Sequence, residues 1–104
     1  MKKVYNKLVR DKIAEIIENK GGKANTKILN NKEYIEELNK KLQEEVKEYL
    51  ASGEVEELAD IQEVLLAIVK AKDVKLCDFE KIRLNKVEKR GAFENKLFLI
   101  DVEE

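Results

Sequence analysis

The sequence predicts an all-α fold. Proline is absent from its 104 residues, which removes the strongest helix breaker. Glu, Lys, Leu, Ile and Ala dominate the composition, and these residues favour helix by intrinsic propensity. Apolar positions then fall on helix faces in four successive segments separated by glycine or polar breaks.

Asp11 can cap a first helix that runs through about Asn19, with Ile13, Ile16 and Ile17 on one face and Gly21-Gly22 as its stop. Residues 23–31 are polar and turn-like around the apolar pair Ile28-Leu29. Asn30 or Asn31 can cap a second helix reaching about Leu50. Ala51-Ser52-Gly53 breaks the pattern. A third helix is expected from about Glu54 to Lys70, and its stretch Leu58–Val69 is apolar around most of the circumference, as in a central, buried helix. A fourth spans Leu76 to Lys89 on the apolar positions Phe79, Ile82, Leu84 and Val87, and Gly91 ends it. The tail from Phe93 to Val102 reads as extended. No repeat, low-complexity segment or linker divides the chain, so residues 1–104 form one domain. A single domain of this length buries a modest core, which favours completion by a partner subunit.

Composition also excludes function classes. The formal net charge is −1, and neither a basic block nor an aromatic platform stands out, so nucleic-acid binding is disfavoured. Residues 1–5 lack the apolar stretch of a signal peptide, and no apolar run approaches the ~20 residues that span a bilayer. The expected location is cytoplasmic. Cys77 is the only cysteine and histidine is absent, which removes internal disulfides, the usual zinc sites, a Ser-His-Asp triad and a histidine base. Carboxylates remain as the chemical groups, and any metal must be held by oxygen.

Two pairs of acids stand out by position. Glu45 and Glu48 are three residues apart, as are Glu57 and Asp60, so each pair shares one helix face. A tight break at Ser52-Gly53 folds helices two and three into an antiparallel hairpin. Glu48 and Glu57 are then equidistant from the turn, and so are Glu45 and Asp60, which sets them at matching heights. At about 100° per residue, Glu45 falls among Leu38, Leu42 and Tyr49 inside the apolar stripe. Glu57 lies on the side of Ile61, Val64 and Ile68, and Asp60 beside Val64 and Ala67. Glu33, Glu36 and Glu63 fit a solvated surface better. Carboxylates crowded in a partly buried site either gain protons or recruit cations, and an oxygen-only donor set suits Mg²⁺ or Mn²⁺. On geometry alone this metal site stands beside a plainer alternative, a charged helical hairpin packed in an oligomer.

Glu44-Glu45-Val46-Lys47-Glu48 followed by Glu57-Leu58-Ala59-Asp60 resembles the EExxE…ExxD signature of the MazG-like all-α nucleotide pyrophosphohydrolases. The segment from Tyr5 to Ile13, YNKLVRDKI, is similar to the N-terminus of a short single-domain branch, often labelled phosphoribosyl-ATP pyrophosphohydrolase-like. Lys86 to Phe93, KVEKRGAF, is similar to the KxxxRGGF that closes that branch. Ala14 stands where the branch usually has proline, and Ala92 replaces the second glycine, which bears on the C-terminal loop rather than on the acids.

The resemblance implies a four-helix, MazG-like bundle around the helical hairpin, completed by assembly into a dimer or tetramer. It implies that Glu45, Glu48, Glu57 and Asp60 ligate Mg²⁺, with Mn²⁺ as a substitute, and that Glu44 is an outer-shell base or water orienter. Lys7, Arg10, Lys86 and Arg90 would supply positive charge to the phosphates of a nucleoside triphosphate, the two arginines through bidentate contacts. Asp11 reads equally as a helix cap or a functional group, and Tyr5, Leu8 and Phe93 either line a base pocket or, the preferred reading, pin the terminal segments to the core. The implied reaction is hydrolysis to a nucleoside monophosphate and pyrophosphate in nucleotide-pool sanitation. Phosphoribosyl-ATP hydrolysis is the alternative substrate, and a non-catalytic helical interaction module is the alternative class.

Overall fold

The protein is described by a computed structural model that covers residues 2–103; Met1, part of the segment read for a signal peptide, lies outside them. It is all-helical: α1 spans Ile13–Asn19, α2 Asn31–Ser52, α3 Val55–Ala71 and α4 Leu76–Arg90, with no strand among the described residues. None of the helices is long and apolar enough to cross a membrane.

Caps explain most boundaries. The Asn30 side chain accepts a hydrogen bond from the Glu33 N–H at 2.9 Å, satisfying one of the orphan donors at the start of α2. Gly53 ends that helix in the left-handed region (φ 70°, ψ 10°) while its N–H donates to the Tyr49 carbonyl at 2.7 Å. Gly91 closes α4 at φ 82° and ψ 172°, a region essentially reserved for glycine. Ala92 has no positive φ, so alanine is accommodated where the resembling branch has its second glycine. Asp11 does not cap α1. That helix starts one residue later than expected, behind Lys12, with no side-chain cap, because Asp11 sits in the preceding turn.

The two-residue connection Gly53-Glu54 folds α2 and α3 into an antiparallel pair, and the Asn31 amide reaches the Ala71 carbonyl at the far end of the hairpin (3.4 Å). α4 packs against α3 only, and α1 against none of the other three, so one chain is a hairpin with appendages rather than a closed four-helix bundle. α3 is central but not buried as its composition predicts. Val64 is its one buried residue, while Leu58 and Leu65 remain 43% and 39% exposed.

The core is correspondingly thin, with Leu38 and Val64 as the buried hydrophobic residues. The accessible surface is 9958 Å², against about 6,000 Å² for a compact monomer of this mass. The radius of gyration is 18.5 Å, against roughly 13 Å for a compact chain of about 100 residues. Part of the difference is the tail after α4, which has no regular structure and leaves Phe93, Phe98 and Ile100 almost fully exposed.

Replacing Asn30 tests the cap: Asn30→Ala is expected to cost about 1 kcal/mol and Asn30→Asp close to nothing. Thermal unfolding followed by helical circular dichroism reads the difference.

Candidate metal centre

The hairpin brings acids from both helices to one place. Glu45 from α2 and Glu57 and Asp60 from α3 each offer a carboxylate oxygen, and the three oxygens lie within 4.8 Å of one another. Glu45 is the most enclosed, 7% exposed beside Leu38 and Val64, the other two buried residues. Its Oε1 is 3.6 Å from the Lys41 ammonium, one turn back on α2. Its Oε2 is buried and has no hydrogen-bond partner among the described residues. Polar atoms in protein interiors are rarely left without a partner, so an oxygen of this kind signals a missing cation, proton or donor.

Electrostatics point to the same place. Burial pushes the Glu45 carboxyl above its ordinary range, and the neighbouring charge of Glu48 pushes it further. Glu48 is also near enough to accept a hydrogen bond from Glu45 once Glu45 carries a proton, which leaves the ionised form without a donor. Asp60 adds to the repulsion and Lys41 only partly offsets it. Loss of hydration likewise raises Glu57, followed by the charges of Glu48 and Asp60.

Of the four acids expected to converge, three do so. Glu48 is exposed and outside the group of mutually close oxygens, although its charge is felt by Glu45 and Glu57. Glu44, the residue before Glu45 on α2, is held by Lys7 (3.3 Å) and Lys41 (3.6 Å). Partial burial raises its pKa, but these two ammonium groups outweigh that and hold the carboxyl below its ordinary value.

Two of the four expected phosphate-binding cations reach the acids. Lys7 meets Glu44, and Arg10 Nη2 meets Asp60 Oδ1 at 2.7 Å. Their segment forms one wall of a groove of about 650 Å³ whose other walls come from α2 and α3, including Tyr34, Leu38, Lys41, Glu45 and Asp60. Lys86 and Arg90 line no part of that groove and form no ion pair among the described residues. Arg90 instead borders a separate hollow of about 180 Å³ within the 90–97 loop. Lys41 and Glu63 were not singled out from sequence as site residues, yet both line the acid groove. Lys41 was detectable, since it stands three and four residues before the acids it bridges. No family model, curated protein or solved structure matches the chain.

Because the folded state raises the pKa of Glu45, the ionised carboxylate destabilises the metal-free fold above that raised value. The penalty fades as pH falls toward the ordinary carboxylate range. Glu45→Gln in chelator is therefore expected to melt higher than wild type at pH 7.5, by about 5 °C for ~1 kcal/mol relieved. The advantage should shrink steadily down to pH 4.5. A variant that melts lower than wild type at pH 7.5 would show that the Glu45 charge is already compensated.

Proposed function

We propose that the chain is a Mg²⁺-dependent nucleoside triphosphate pyrophosphohydrolase, with Mn²⁺ as a substitute, acting in nucleotide-pool sanitation. The observation that carries this reading is the buried, unpartnered Glu45 Oε2 beside two further carboxylates. An oxygen-only donor set of this kind fits a hard divalent cation. Glu45, Glu57 and Asp60 would hold the ion, and Glu48 would join by a change of rotamer from its exposed position. The resemblance of the EExxE…ExxD, YNKLVRDKI and KVEKRGAF segments to MazG-like enzymes supports the choice of reaction.

A cation bound there supplies charge neutralisation for the phosphates and acidifies water at neutral pH. The chain's own residues account for the rest. Glu44, held ionised by two lysines, is a poor proton acceptor at neutral pH and suits orientation of the attacking water better than its deprotonation. Arg10 stands at the groove wall and Lys7 on the neighbouring Glu44, where positive charge can meet a triphosphate. Lys86 and Arg90 would take part only from the adjoining α4 or from another copy. The chain also has no Walker-type Gly-rich loop with its Lys-Ser/Thr to cradle terminal phosphates, which favours attack at the α-phosphorus over γ-phosphate release.

The reading includes self-association as a dimer or tetramer in the cytoplasm. Its support is the excess surface together with apolar side chains left open on α2 and α3, among them Leu50, Val55, Leu58 and Leu65. Light scattering at micromolar concentration is expected to give a dimer or tetramer, and a fully active monomer would refute it.

The deciding assay is a panel of canonical, deoxy and damaged triphosphates plus phosphoribosyl-ATP, with Mg²⁺. The first products should be monophosphate and pyrophosphate, and ¹⁸O from labelled water should enter the monophosphate. Nucleoside diphosphate and orthophosphate as first products would overturn the bond assignment.

Substitution of outer-shell partners of metal ligands typically costs about 10–100-fold, so Glu57→Gln, which removes a ligand, is expected to lose at least that much turnover. Glu36→Gln, on the exposed side of α2, should leave turnover unchanged. Near-wild-type turnover in purified, folded Glu57→Gln would sink the metal assignment.

A further inference from the structure

Arg10 and a cation want the same carboxylate. Asp60 is one of the three acids whose oxygens converge, and its Oδ1 also accepts a hydrogen bond from the Arg10 guanidinium at 2.7 Å. Fifty residues separate the two in sequence, so this contact fixes where the N-terminal segment lies. Little else holds it. Among the described residues, no backbone hydrogen bond joins residues 2–9 to the rest of the chain, and the segment is otherwise attached through half-buried Leu8 and the Lys7–Glu44 pair. Asn6 takes a left-handed conformation (φ 46°), the bend that precedes Lys7 and its turn toward Glu44.

We infer that residues 5–12 form a strap latched over the acid cluster by Arg10, and that uptake of a divalent cation at Glu45, Glu57 and Asp60 releases the latch. This rests on the metal reading above. The physical case is one of competition. A dication centred about 2.0–2.2 Å from either oxygen of the Asp60 carboxylate draws on the negative charge that holds the guanidinium and repels its positive charge across that one group. The ion pair it displaces is weak, because the Arg10 and Asp60 side chains are 58% and 41% exposed. Glu45 supplies the reverse drive, since its buried Oε2 has no hydrogen-bond partner among the described residues and its carboxylate would be neutralised by a cation. Residues 8–12 of the strap form one wall of the groove, so release widens the cavity beside the acids and frees the Arg10 guanidinium for an oxyanion. The cation thus opens the site before the anion enters.

The test uses the full chain, Mn²⁺ as the cation and two readouts besides turnover. Binding is followed by the paramagnetic resonance of free Mn²⁺. Strap release is followed by trypsin cleavage after Lys7 and Arg10, with cleavage after Lys27, in the exposed α1–α2 connection, as internal control. In wild type, Mn²⁺ should speed strap cleavage relative to Lys27 by about two- to five-fold, the worth of a half-exposed ion pair. Arg10→Gln should be cleaved quickly after Lys7 with or without Mn²⁺ and should bind Mn²⁺ about two- to five-fold more tightly. Arg10→Lys, which keeps the charge, should restore the Mn²⁺ response. Saturable Mn²⁺ binding with unchanged strap cleavage, or Arg10→Gln with unchanged affinity, means that Arg10 stays on Asp60 as an outer partner; the inference then fails while the metal site stands. No saturable Mn²⁺ site in wild type or variant overturns the metal reading, and the latch with it.

Discussion

A carboxylate held away from water without a donor for one of its oxygens is costly, and Glu45 is such a group. Its position follows from the hairpin. The residue lies on the face of α2 that meets α3, between Leu38 one side and the α3 acids on the other, so the contact that buries the core also buries the charge. Lys41 compensates one oxygen from 3.6 Å, and the remaining acids add repulsion. The fold therefore carries a local deficit at the centre of its best-packed contact. Such a deficit is reasonable in a site that a cation completes and hard to account for in a purely structural hairpin, where leucine at the same position would bury more apolar surface at no electrostatic cost.

Much of this geometry was legible in the sequence because a short hairpin obeys simple arithmetic. Positions 45 and 60, and likewise 48 and 57, are symmetric about the break at residues 52–53, and the structure turns there at Gly53. Equal rise on both helices sets Glu45 level with Asp60, and the apolar company of Glu45 indicated that it faces inward. Glu48 shows the limit of that reasoning. Its height is right, but its angular position is about 60° from that of Glu45, and that rotation suffices to turn the side chain toward solvent. The cap of α2 was equally readable, since Asn30 supplies the oxygen that the first-turn N–H groups lack. Asp11 offered the same signal for α1 and did not act on it, because a seven-residue helix with no packed neighbour does not fix its own start.

The cationic side of the site was less legible. Lys7 and Arg10 reach acids 37 and 50 residues away, and no periodicity within their own segment indicates where it will lie. Only the resemblance of that segment to a known pattern marked it. The same resemblance marked Lys86 and Arg90, which α4 carries outside the groove because α4 leans on α3 alone. Helix propensity likewise could not tell whether α3 would be enclosed. Composition recorded its apolar circumference correctly, while enclosure depends on what surrounds it, and one chain supplies only α2 and part of α4.

The acid cluster and the exposed apolar flank of α3 are linked through the geometry of that helix. Glu57 and Asp60 share a face with Val64, while Leu58 and Leu65 lie to one side of it and stay exposed. A single α2–α3 contact cannot both offset the repulsion among its acids and cover that flank, because each helix presents only one face to the other. Removing Leu58, Leu65, Val55 and Leu50 from water in an interface would gain stability at about 25 cal/mol per Å² of apolar surface covered. That gain does not depend on whether the acids are compensated. The proposed assembly and cation binding would thus be separable in energy: the first would hold the hairpin, and the second would relieve the charge that the hairpin encloses. On this view, a hairpin with its acids neutralised but its flank exposed would still lack a closed core, whereas an assembled hairpin without cation would be folded and electrostatically strained at Glu45.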